Sequence, residues 1–205
     1  MAAGAWRRGI GVLATACLGI VATPAPAPAQ FSQSYNFIDA VKDRDAAKAK
    51  QILDKPGSTA VNTLDGATGE TALQMVTRAR DLGWMAFLLQ NGATPDVRDR
   101  NGNTALMTAV QIGYGEGAQL LLGQGANVNA QNNRGETPLI LAVHNRDIGQ
   151  ARTLLEVGAN PNLTDTASGM SARDYAARDN RAVAILRMIE SIKTPPARSK
   201  VAGPH

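Results

Sequence analysis

The sequence predicts an all-α solenoid in which short helix–turn–helix units stack along one axis. Two observations predict this fold: two sequence blocks recur in phase at a fixed spacing, and each copy contains its own helix start and stop signals. The composition excludes folds that depend on several Cys or His residues, because the 205 residues include one Cys and two His. A disulfide framework and a Cys/His zinc site are therefore excluded.

Residues 1–29 have the pattern of a secretory signal peptide. Arg7 and Arg8 form the positive end, residues 9–22 form a short apolar core, and Ala27-Pro28-Ala29 supplies small residues for cleavage after Ala29. An uncleaved membrane anchor and a lipoprotein modified at Cys17 are the alternatives, although the apolar core is short and the usual Leu of a lipobox is missing. Export to the periplasm of a Gram-negative bacterium is the localisation that this segment predicts.

Removal of this segment takes away two arginines and no acids, so the net charge falls from +4 to +2 and no Cys remains. No second apolar run approaches membrane-spanning length, so the mature chain is expected to stay off the membrane. The 21 basic and 17 acidic residues are interspersed, which argues against nucleic acid as a partner. The aromatic content of 4% also argues against a stacking platform for bases.

The repeat is the dominant feature of the remaining sequence. A Gly-x-Thr block begins at Gly69, Gly102 and Gly135, in steps of 33 residues, and a fainter copy at Gly169 comes one residue late. A Leu-Leu-x-x-Gly-Ala block keeps the same step at residues 88–93, 121–126 and 154–159. Two independent blocks in phase over three copies indicate a repeat architecture.

Local signals in each copy predict a pair of helices. Thr71, Thr104 and Thr137 stand where an N-cap hydroxyl is expected, and Pro138 follows in the first helical turn. The second helix carries the Leu-Leu pair and ends at Gly92, Gly125 or Gly158, where glycine can adopt the left-handed conformation that terminates a helix.

These residues resemble the ankyrin repeat, over roughly residues 34–192 and most strongly over 69–168. The resemblance implies helix–turn–helix units joined by β-turn fingers, and protein–protein binding as the common role. The sequence departs from the family pattern where Gln74, Met107 and Ile140 replace the usual His, and where Arg173 replaces the Leu of the last copy.

The repeat register divides the chain into an ankyrin repeat domain over 30–192 and a tail. The domain comprises a cap unit at 34–68, repeats at 69–101, 102–134 and 135–168, and a C-terminal cap repeat at 169–192. The cap sequences mix apolar and charged residues, as terminal units with no neighbour require. Residues 193–205 contain three prolines and few apolar residues, which predicts a disordered tail.

The large Trp84 lies one period before Gly117 and Ala118, so the register predicts that Trp84 packs against these two small residues of the next unit. The glycine-rich stretch 113–117 predicts a loose loop between paired helices. It resembles a phosphate-binding loop only superficially, since no Lys-Ser/Thr follows it.

No residue pattern predicts catalysis. A Ser–His–acid triad would have to use His144, because His205 lies in the tail, and no pair of His residues can clasp a metal. We therefore expect no enzymatic activity, no cofactor and no metal.

The resemblance implies a continuous concave surface formed by finger tips and the exposed ends of first helices. By the register this surface consists of Arg98, Arg100, Asn101, Asn103, Gln111, Gln131, Asn133, Arg134, Glu136, His144 and Asn145. None of the arginines occupies an apolar helix position, so we expect their substitution to leave the fold intact. The basic residues, with Asn and Gln around them, suit an acidic or amide-rich patch of a partner protein.

The sequence therefore predicts a non-catalytic protein-binding module of the periplasm, with another exported protein as its partner. An inhibitory or immunity-type protein that masks one partner is an alternative. A small-molecule-binding or enzymatic protein on the same frame is a further alternative, which the scarcity of His and Cys disfavours.

Export is directly testable. Protein recovered from the periplasm should have an intact mass that corresponds to loss of residues 1–29, because the cleavage pattern ends at Ala29. A lipid-modified Cys17, or a full-length chain in the membrane fraction, would contradict this prediction.

Overall fold

The computed structural model describes residues 28–191, and within this range the chain forms ten α-helices. The predicted tail and nearly all of the predicted signal peptide lie outside the described residues. The helices are α1 (Pro28–Lys42), α2 (Ala46–Leu53), α3 (Ala72–Arg78), α4 (Leu82–Gln90), α5 (Ala105–Gln111), α6 (Gly115–Gly123), α7 (Pro138–His144), α8 (Ile148–Glu156), α9 (Ala172–Arg178) and α10 (Val183–Ser191).

Consecutive helices pair as antiparallel neighbours, and the five pairs stack into two rows. The odd-numbered helices contact one another in an inner row, and α4, α6, α8 and α10 contact one another in an outer row. The all-α repeat solenoid is therefore confirmed. The first helix is longer than the cap sequence suggested, and it begins at Pro28, within the last two residues of the predicted signal peptide.

The predicted helix starts are confirmed by hydrogen bonds. The hydroxyl oxygens of Thr71, Thr104 and Thr137 accept bonds from backbone N–H groups three residues later, at 3.1, 3.4 and 3.2 Å. Each bond satisfies one of the N–H groups that an α-helix leaves free at its first turn. Pro138 begins α7, where its missing N–H has no cost.

The predicted helix stops are also confirmed. Gly92, Gly125 and Gly158 have φ angles of 89°, 82° and 93°. The following alanine N–H in each case bonds a carbonyl of the last helical turn, as Ala93 does to Leu88 at 2.9 Å. This pattern, with a left-handed glycine after the helix, closes the C-terminus of each middle outer helix.

The core lies between the two rows and is continuous along the stack. Every residue of α7 from Pro138 to Val143 is buried, whereas α8 buries one face only. An inner helix is packed by the units on both sides as well as by its own outer helix, so it is apolar nearly all round. Gln74 of α3 is buried as well, and its side-chain Nε2 donates a hydrogen bond to Asn103 O of the next unit at 2.6 Å.

The side chain nearest to Gly117 is that of Tyr114, where the sequence register predicted Trp84 of the preceding unit. A Cβ on Gly117 would meet ring atoms of Tyr114, in the same unit, as its three nearest neighbours. The Trp84 ring instead lies edge-on to Phe87, with centroids 5.1 Å apart, and carries the Arg44 guanidinium of the preceding unit 5.8 Å from its centroid. The small residue at 117 thus makes room for Tyr114.

The predicted loose loop at 113–117 is wrong in its extent. Helix α6 already begins at Gly115, so only Gly113 and Tyr114 of this stretch lie in the turn between α5 and α6. Tyr114 is buried and its N–H donates to Ala109 O at 2.8 Å, which fixes the turn despite the glycines around it.

Four fingers connect the units, at residues 65–70, 99–103, 132–136 and 165–170. Adjacent fingers are joined by backbone hydrogen bonds, from Asn133 N to Asn101 O at 3.0 Å and from Thr166 N to Arg134 O at 2.8 Å. Gly102 has a φ of 78°, and a Cβ there would lie 2.6 Å from the Asn133 backbone nitrogen. Glycine is therefore needed here for two reasons: the left-handed conformation and the close approach of the next finger.

The two requirements can be separated by two substitutions. Gly125→Ala meets open space and should cost only the left-handed conformation, roughly 1–2 kcal/mol. Gly102→Ala should cost about 1–3 kcal/mol more, because it also displaces the neighbouring finger. Denaturant unfolding of both variants measures the difference. Equal losses would contradict close contact between the second and third fingers.

Candidate functional site

Each finger begins with an acid or amide that occupies the same structural position. The backbone N–H of Asp65, Asp99, Asn132 and Asp165 donates to the carbonyl that closes its finger, at 2.8, 2.9, 3.0 and 3.0 Å. The first and last fingers contain one residue more than the middle two. A step of 33 residues from Asp65 therefore leads to Arg98, whereas the hydrogen bonds show that Asp65 and Asp99 occupy equivalent positions.

The side chain of this residue holds the finger closed. Asp99 Oδ1 accepts the N–H groups of Asn101 and Asn103, both at 2.8 Å. Asn132 Oδ1 accepts the equivalent N–H groups of Arg134 and Glu136 at 2.9 and 3.0 Å. Asp and Asn stabilise turns in this way, through an oxygen that accepts local backbone N–H groups. The resemblance implied β-turn fingers, but the repeated side chain that closes each of them was not predicted from the sequence.

Hydrogen bonds determine the charge state of the last finger's carboxylate. Burial would raise the pKa of Asp165, but bonds from the Tyr175 hydroxyl and from Ser168 lower it from 3.8 to about 2. Asp165 Oδ1 accepts Ser168 N–H at 2.7 Å and Ser168 Oγ at 2.9 Å. The same balance of burial against hydrogen bonds from Ala67, Lys42 and Thr68 lowers the pKa of Asp65.

Several residues of the predicted surface connect neighbouring units. Asn145 Nδ2 donates to Val110 O at 3.0 Å, and Gln131 Nε2 donates to Thr164 O at the same distance. Asn133 Nδ2 donates to Arg100 O at 3.0 Å, and Asn103 Oδ1 accepts from Asn132 Nδ2 at 3.1 Å. These four side chains satisfy polar groups between repeats, so they contribute to stacking.

Two of the predicted arginines also have structural contacts. Arg100 Nη2 donates to Gly66 O at 2.6 Å, and its side chain lies against Gly69. Arg134 Nη2 pairs with Glu136 Oε2 at 2.7 Å, and Glu136 is buried. The expectation that substitution leaves the fold intact stays a prediction, and Arg98, which has no such contact among residues 28–191, is the more suitable residue to change.

The remaining members of the predicted surface have side chains available to a partner. Within residues 28–191, Arg98, Asn101 and Gln111 are exposed and their side chains make no hydrogen bond or ion pair. His144 is exposed at the end of α7, with its ring edge-on to Tyr175 and the centroids 4.4 Å apart. The structure thus places these four residues on the finger tips and inner-helix ends.

The ion pairs of this surface direct positive charge outward. Arg134 is 67% exposed while its partner Glu136 is 11% exposed. Arg78 is 52% exposed while its partner Glu70 is 15% exposed. Because each carboxylate lies beneath its guanidinium, an approaching molecule meets the cation first. We call this surface, which includes Arg78, Arg98, Arg100 and Arg134, the finger face.

The chain belongs to the ankyrin repeat family. The family model for ankyrin repeats (3 copies) matches residues 37–132 and 116–193, which together include most of the chain. Ankyrin repeats generally mediate protein–protein interactions and are typically non-catalytic.

None of the helices in residues 28–191 is long and apolar enough to cross a membrane. The same residues contain no group of three or more His, Cys, Asp and Glu arranged to hold a metal ion.

The lowered pKa of Asp165 predicts a specific acid sensitivity. A carboxylate with a depressed folded pKa stabilises the fold above its unfolded pKa, and this contribution is lost as pH falls toward about 2. Replacement by Asn should therefore lower stability at neutral pH and flatten the loss of stability between about pH 4 and 2. Denaturant midpoints across this range measure both effects. An unchanged pH profile in Asp165→Asn would contradict the assignment.

Proposed function

We propose that the protein is a non-catalytic binding module of the periplasm and that its finger face docks an acidic surface of another exported protein. The single observation that carries the proposal is the outward arrangement of charge on this face. Arg78 and Arg134 cover their carboxylate partners, and Arg98 has no intramolecular partner among residues 28–191.

Rigidity supports a binding role for these side chains. The fingers are fixed by the inward Asp and Asn side chains and by backbone bonds between neighbours. A surface that is ordered before association loses less conformational entropy when the partner binds. The arginines therefore have fixed backbone anchors, and only their side chains need to adapt.

Positive potential on this face supports fast, salt-sensitive association. Opposite charges on two proteins raise the association rate, and the effect declines as ionic strength increases. The exposed amides of Asn101 and Gln111 add hydrogen-bonding groups beside the cations. The periplasmic location is supported by the signal-peptide pattern of residues 1–29.

The cleanest test changes the arginine that makes no internal contact. Arg98→Glu should leave the circular dichroism spectrum and the melting midpoint unchanged, because surface substitutions usually alter stability by less than about 0.5 kcal/mol. It should reduce the association rate with a partner captured from periplasmic extract roughly tenfold at low salt. Surface plasmon resonance at several salt concentrations measures the rate.

A matched control reverses charge on the outer helices, where Arg152 and Arg187 are exposed on α8 and α10. The double variant Arg152→Glu, Arg187→Glu should associate at the wild-type rate. A captured partner whose association depends on Arg152 and Arg187, and not on Arg98, would move the binding site to the outer helices.

A further inference from the structure

The turns that join the two helices of a unit contain a second repeated contact. In the first four of the five units one residue of this turn adopts the left-handed conformation: Arg44, Arg80, Gly113 and Arg146 have φ angles of 58°, 55°, 64° and 55°. Three of these four turns place an arginine at this position, although residues other than Gly, Asn and Asp rarely adopt the conformation.

Each of these arginines reaches the turn of the following unit. Arg44 Nε donates to Asp81 Oδ2 at 2.9 Å, and Arg146 Nε donates to Asp179 Oδ2 at 2.7 Å. Arg80 Nη2 donates to Ile112 O, and its guanidinium lies 5.8 Å from the centroid of the Tyr114 ring. A guanidinium therefore occupies the space between successive turns at these three junctions.

The junction between the third and fourth units lacks this cation. Gly113 has no side chain, and the acid that faces it in the next turn is Asp147, whose Oδ2 would lie 3.9 Å from a Cβ on Gly113. Asp147 Oδ1 caps α8 by accepting Gln150 N–H at 2.9 Å. Within the described residues Oδ2 accepts no hydrogen bond and forms no ion pair, whereas Asp81 and Asp179 use this same oxygen to bind arginine.

A cavity of about 250 Å³ lies where the missing side chain would run. Its lining includes Gly113, Gly115, Ala118, Asp147, Gly149 and Gln150. Gln150 is only 5% exposed, and both its Oε1 and its Nε2 lack a hydrogen-bond partner. A buried amide without hydrogen-bond partners destabilises a folded protein, so an occupant that bonds this amide would stabilise it.

We propose that this cavity binds the side chain of an arginine from a partner protein. The guanidinium pairs with Asp147 Oδ2, in the place that Arg44 and Arg146 take at two other junctions, and the buried Gln150 amide turns toward the cavity to accept a further N–H at Oε1. The site lies at the turns between paired helices rather than at the fingers, so it adds a second point of contact with a different charge preference.

Shape and chemistry favour arginine over other occupants. The volume is below the range of typical small-molecule sites, so it suits one long side chain. Arginine has five N–H donors in a planar fork and can therefore serve the carboxylate and the amide oxygen together, whereas lysine acts as a point charge. The three lining glycines leave a path for the apolar stem.

The probe for the experiment is N-acetyl-L-arginine amide, titrated into the ¹⁵N-labelled protein and followed by NMR. We expect saturable shifts at the backbone amides of Gly113 and Asp147 and at the side-chain amide of Gln150. N-acetyl-L-citrulline amide, which is nearly the same shape but uncharged, should not give saturable shifts. Absence of saturation with the arginine probe, or equal response to citrulline, would overturn the proposal.

Three variants locate the effect. Asp147→Asn retains an N-cap oxygen and should bind the arginine probe at least about tenfold more weakly, whereas Asp81→Asn, at an occupied junction, should bind it as the wild type does. Gly113→Arg supplies the cation from within the chain and should abolish probe binding. If Gly113→Arg does not fold, the comparison of Asp147→Asn with Asp81→Asn decides the question, and equal affinities there would overturn the proposal.

Discussion

The structure depends on the inward-turned acid or amide at the start of each finger. Asp99 and Asn132 hold their own fingers closed, and this places backbone groups where the next finger can bond them. A helix pair alone cannot bury its apolar faces, so stacking in register is a condition for stability. The carboxylates under the arginines are other residues, Glu70 and Glu136, and Asn132 Nδ2 donates to Glu136 Oε2 at 2.8 Å. Finger closure and unit stacking thus have a common origin, and in the third finger the closing residue also holds the carboxylate that Arg134 covers.

Polar side chains between the units have two distinct tasks. Asn145 and Gln131 satisfy carbonyl groups of a neighbouring unit, and they make the stack specific for its order. Arg44 and Arg146 connect units at the turns between paired helices, where they form ion pairs with Asp81 and Asp179 of the next unit. The third junction departs from this pattern because Gly113 replaces the arginine. At this junction, where the arginine is missing, the buried amide of Gln150 has no hydrogen-bond partner.

Sequence reasoning predicted the local features of the fold well, because they depend on residues a few positions apart. The Thr104 cap, the helix stop at Gly125 and the 33-residue step all follow from nearby residue types. It failed where the length of a finger or the packing of side chains decides the arrangement. The extra residue in the first finger shifted Asp65 out of register, and nothing in the sequence showed that Tyr114 fills the space over Gly117. The predicted surface residues lie at or beside the fingers and at the ends of inner helices, and contacts across units determine which of their side chains are free.

The central claim is that a partner is recognised by the finger face. Hydrogen–deuterium exchange of the protein with and without its captured partner tests this claim most directly, because it reports protection along the whole chain without substitutions. The account predicts new protection in residues 98–103 and 131–136, at the second and third fingers. Protection confined to the outer helices α4, α6, α8 and α10, with unchanged exchange in these fingers, would contradict it.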